Sequence, residues 1–95
     1  MRIRTSPGEI LLDEFMKPFG LSGNELARQL KVPANRINDI IRDRREVSAD
    51  TALRLARYFG TTARFWLDAQ TAYSLSKAEA KFGDKIASQV RPRAA

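Results

Sequence analysis

Between Ser22 and Arg45 the chain reads SGNELARQLKVPANRINDIIRDRR, and this stretch constrains the fold more than any other. It packs two helices end to end with almost no connection. Ser22 and Glu25 have the S-x-x-E spacing of a capping box, in which the serine hydroxyl accepts a backbone N–H three residues on. Leu26, Ala27 and Leu30 follow as one apolar stripe, and the run ends near Lys31. Pro33 falls at or just before the first position of the next helix, whose Val32, Ile37, Ile40 and Ile41 recur at the helical period. A connection of about two residues leaves no room for antiparallel overlap, so the two helices must cross steeply.

Helix signals recur on both sides. Ser6, Pro7 and Glu9 form another capping box with proline at the first helical position, and Pro18 and Gly20 end the segment. Its apolar face is expected to be Ile10, Leu11 and Phe15, with Leu12 beside them. Ser48 opens a fourth helix that presents Ala52, Leu53, Leu55, Ala56 and Phe59, with Gly60 as its stop. Thr61 or Thr62 caps a fifth, carrying Phe65, Trp66, Ala69, Ala72 and Tyr73 at helical spacing. No segment alternates with period two for long enough to require a strand. The fold class is therefore all-α, with five helices, and residues 1–75 are expected to form the folded domain.

Residues 76–95 form a C-terminal extension that extends helix five, makes a short extra helix or hangs loose after Val90, with its end expected to be disordered. Phe82, Ile86 and Val90 stand at i, i+4 and i+8 with little core left to receive them. They are expected to make a dimer or partner contact, the alternative being that they pack back onto the same chain.

The chain's 95 residues suffice for one small core. Seventeen Lys and Arg against eleven Asp and Glu leave a net charge of +6, and twelve of the bases are Arg. Arginine favours planar, bidentate contacts with phosphates and guanine edges, which points to nucleic acid. Cys and His are absent, so disulfides, thiol nucleophiles, structural zinc sites and imidazole bases are excluded. Asp13, Glu14 and Asp68 lack catalytic partners and read as surface. We expect no enzyme activity, cofactor, metal or small-molecule substrate. No apolar run reaches the ~18 residues of a membrane span, and MRIRTSPGEI lacks the apolar core of a secretory signal. A cytoplasmic location is expected.

The polar side of the helix after Pro33 carries the functional reading. Asparagine is a poor helix former, so Asn35 and Asn38 lower helix propensity and call for a compensating role. In physical terms Ser22–Arg45 is a helix-turn-helix: a capped helix crosses the DNA backbone, small Ala27 allows close packing, and the next helix offers its polar face to the major groove. The base-reading candidates are Ala34, Asn35, Arg36 and Asn38, with Asp39 at the margin; Asn suits adenine, Arg guanine and Ala the thymine methyl. Arg36 has phosphate or an acidic neighbour as alternative partners. Phosphate candidates are Ser22, Gly23 and Asn24 at the positive end of one helix and Arg42, Arg44 and Arg45 beyond the other. Residues 28–45 carry six bases and two acids, a net +4 out of the chain's +6. Trp66 and Phe65 invite a stacking role on single strands, but their spacing favours core packing.

PGEILLDEF, LARQLKVPANRINDIIRDRR, SADTALRLARYFG, FWLDAQTAY and GDKI, in this order over about residues 5–90, resemble the HigA group of antitoxins within the lambda-repressor-like family. The resemblance implies a five-helix, homodimeric protein that binds double-stranded operator DNA, represses its own operon and binds a RelE-like, HigB-type toxin that cleaves messenger RNA. A stand-alone transcription regulator without a toxin is the second reading. Two positions depart from the family pattern, which has glycine where this chain has Lys31 and Asp43. Both sites are expected to adopt a left-handed backbone, at roughly 1 kcal/mol for a residue with a Cβ.

Overall fold

The computed structural model describes residues 3–94, so Met1, Arg2 and Ala95, at the ends of the two expected units, lie outside the described residues. The first helical segment, α1, starts as an α-helix over Pro7–Ile10, continues as a π-helix over Leu11–Met16 and closes in a 3₁₀ turn over Lys17–Phe19. Ser6 Oγ accepts the Glu9 N–H at 3.1 Å, as the capping-box spacing predicts. In the π stretch the Lys17 N–H reaches back five residues to the Leu12 carbonyl. That wider turn brings Met16 onto the face of Leu11, and both are fully buried. A strict 3.6-residue period places Phe15 there instead and misses Met16.

Helix α2 spans Gly23–Leu30 and α3 spans Ala34–Ile41. Ser22 Oγ caps α2 by accepting the Glu25 N–H at 3.1 Å. The turns after α1, α2 and α3 share one hydrogen-bond pattern: Leu21, Val32 and Arg44 each donate five residues back, to Met16, Ala27 and Asp39. This closure satisfies two carbonyls at each helix end and needs a left-handed residue between, here Gly20, Lys31 and Asp43. The expected left-handed sites are thus observed, with φ of 61° at Lys31 and 59° at Asp43.

Helix α4 covers Ala49–Phe59 and α5 covers Ala63–Gln89. Ser48 and Thr62 cap them, accepting the N–H groups of Thr51 and Phe65. Among the described residues there are five helical segments and no strand. The core gathers Leu11 and Met16 from α1, Leu26, Ala27 and Leu30 from α2, Ile37 and Ile40 from α3, Ala52 and Leu55 from α4, and Trp66 from α5. Each large side chain removed from water stabilises the fold by about 1.5–3 kcal/mol. Trp66 is completely enclosed, and its indole N–H donates to Thr61 Oγ1 at 2.8 Å. Leu53, expected on the inner face of α4, is 63% exposed. Ala52 and Leu55 define the buried stripe, and Leu53 lies one residue, about 100°, away from Ala52 on the helix. Phe65 is likewise exposed at its edge while its ring packs on Phe15 and Trp66.

Helix α5 joins the bundle only through its first half. Gln70 accepts the Val47 N–H at 2.9 Å, and buried Ser76 accepts the Arg4 N–H at 2.9 Å. Beyond Ser76 every residue of the helix except Gly83 is exposed. The result is an elongated molecule of 52 × 21 × 21 Å.

Candidate nucleic-acid interface

At Gly23 the start of α2 lies against the Asn38 side chain on the second turn of α3, where a Cβ would meet Asn38 Oδ1 and displace that amide. Asn38 Nδ2 then donates to Asn24 Oδ1 at 3.1 Å, joining the two helices through their polar edges. Asn35, Asn38 and Arg42, at i, i+3 and i+7, share one stripe of α3. Asn35 and Arg42 are exposed on it, and Ser22 and Asn24 lie exposed beside it at the start of α2. The first amides of α2 point from the helix's positive end, which favours an anion. One continuous surface thus presents amide side chains flanked by a helix N-terminus and an arginine.

The other sequence-derived candidates separate from this stripe. Ala34 is exposed at the start of α3. Arg36 turns toward α4, where its Nη1 lies 2.7 Å from Asp50 Oδ2. Of the two alternatives to base contact, the structure has the acidic neighbour. Asp39 is half-buried and faces Arg45 at 3.8 Å. Arg44 and Arg45 stand in the loop after α3 and line a cleft of about 390 Å³ whose opposite wall is Tyr73, Lys77 and Phe82 of α5. Phe82 therefore reaches the cleft, whereas Ile86 and Val90 lie farther out, 53% and 62% exposed.

Asp50 and Arg54 were not singled out from the sequence. Their i, i+4 spacing on a helix is a legible ion-pair signal, and Arg54 Nε donates to Asp50 Oδ2 at 2.9 Å. What the spacing hides is the reach across the fold. Arg54 Nη1 also donates to the Leu30 carbonyl at 2.7 Å, covering an open acceptor at the end of α2. The Arg54 hydrogen bond, reinforced by Arg36, holds the Asp50 carboxyl below the usual carboxylate range.

Among the described residues no cluster of acidic side chains could hold a metal ion, and no helix is long and apolar enough to cross a membrane. The helix-turn-helix family matches residues 12–66. Virulence-associated protein I of Dichelobacter nodosus is 58% identical over 73 residues, covering 77% of this chain and 68% of that protein. The Pseudomonas aeruginosa antitoxin HigA with the higBA promoter superposes with a TM-score of 0.90 at 49% identity, covering 95% of this chain and 98% of that one. Antitoxin GraA in complex with its operator has a TM-score of 0.91 at 47% identity, covering 100% and 95% of the two chains.

Proposed function

The chain belongs to the helix-turn-helix family, in its HigA-type branch, and from that premise we propose that it is an antitoxin that binds operator DNA and represses its own operon. The family is one of transcription regulators and antitoxins, not of enzymes. The observation that carries the DNA reading is the exposed Asn35–Arg42 stripe set beside the N-terminus of α2. Its geometry suits a recognition helix in the major groove: amides for base edges, and cations and backbone N–H groups for the flanking phosphates. Relatives of very similar shape are bound to a promoter or an operator, which supports the same use here.

In this reading Asn35 contacts a base edge, Ala34 is placed for a thymine methyl, and Asn38 orients the stripe through Asn24 while remaining within reach of the groove. Ser22, Gly23, Asn24, Arg42, Arg44 and Arg45 hold phosphates. The protein acts as a homodimer, because two α3 helices about 34 Å apart read two half-sites one turn apart. It neutralises a HigB-type toxin through a surface separate from α3. Co-expression with the neighbouring reading frame tests the antitoxin role: rescue of growth and co-purification are expected. Operator binding without rescue or complex would leave a stand-alone regulator.

A further inference from the structure

Arg36 projects from the first turn of α3, where a recognition helix meets DNA, yet its guanidinium is already engaged. Asp50 Oδ2 accepts from Arg36 Nη1 at 2.7 Å and from Arg54 Nε at 2.9 Å, and Arg54 is itself anchored on the Leu30 carbonyl. One carboxylate thus faces two guanidiniums and ties the start of α3 to α4 and to the end of α2. A carboxylate and a phosphate compete for arginine with the same oxygen geometry. We propose that Asp50 is an internal stand-in for phosphate that holds Arg36 against α4 and keeps its charge out of sequence-independent DNA binding. Asp50 is then a specificity-determining positioning residue that never touches a base. Each cation offered to the backbone raises affinity for every sequence alike, so withholding one leaves discrimination to the Asn35 stripe.

The inference rests on the DNA-binding reading and makes a separable prediction. Wild type, D50N, D50E and D50N/R36A are titrated with a duplex of unrelated sequence from about 50 to about 200 mM salt. D50N should bind up to about tenfold tighter at the low-salt end, with a salt slope steeper by about one unit. D50E, which keeps the carboxylate, should return the slope toward wild type, and R36A in the D50N background should abolish the gain. An unchanged slope or weaker binding in D50N, or a gain that survives R36A, would overturn the inference alone. If wild type bound no duplex, including its own promoter fragment, the DNA-binding reading would fall and this inference with it.

Discussion

At Lys31 and Asp43 the backbone turns left-handed on residues that carry a Cβ, and in both places the turn closes two hydrogen bonds to the preceding helix. The strain is about 1–2 kcal/mol per site, partly offset because glycine loses more freedom on folding. Lys31→Gly should therefore stabilise the protein by a few tenths to about 1 kcal/mol in urea unfolding. Asp43→Gly should gain less, since Asp tolerates this conformation better and its carboxylate lies against Gly8 at the start of α1. A loss at Lys31 would show that the lysine side chain does more than occupy the turn. Both sites are legible as strained turns only through the family resemblance, whose pattern has glycine at each. The partners of Arg36 and Arg54 are not legible, since Asp50 lies fourteen positions from Arg36 and the Leu30 carbonyl twenty-four from Arg54.

At the scale of one element, α3 divides its labour by face. Ile37 and Ile40 bury one side, Arg36 is spent on α4, and Asn35 with Arg42 remains exposed. Asn35→Ala should lower discrimination between operator and unrelated DNA by about 1–3 kcal/mol while leaving binding to unrelated DNA nearly unchanged. An equal loss on both duplexes would remove Asn35 from base reading. Arg44→Ala should weaken binding to both and flatten the salt dependence by about one unit, as measured by titration across ionic strength. In α1 the π turn shows where periodicity alone misleads. The wider π turn over Leu11–Met16 moves Met16 into the core, and nothing in the spacing of apolar residues announces it.

For the molecule as a whole, α5 is the unresolved demand. Its second half carries Ile86 into solvent, with Val90 just past the helix end, where the bundle does not cover them, while Phe82 lines the cleft opposite Arg44 and Arg45. In the dimer we propose, Ile86→Asp should give a monomer in sedimentation, with little change in thermal unfolding of the bundle, because Ile86 has no intramolecular core to lose. Operator affinity should fall with it, since one recognition helix binds weakly alone. A dimer that persisted would move the interface elsewhere. The sequence by itself determined the five helices and their serine and threonine caps, because caps, periods and short turns act over a few residues. Only the tertiary structure decided that α5 runs unbroken to Gln89, that Asn38 meets Asn24, and that Asp50 holds Arg36 and Arg54 together. Such contacts depend on which helix faces lie against each other, and packing, unlike local propensity, is a property of the assembled core.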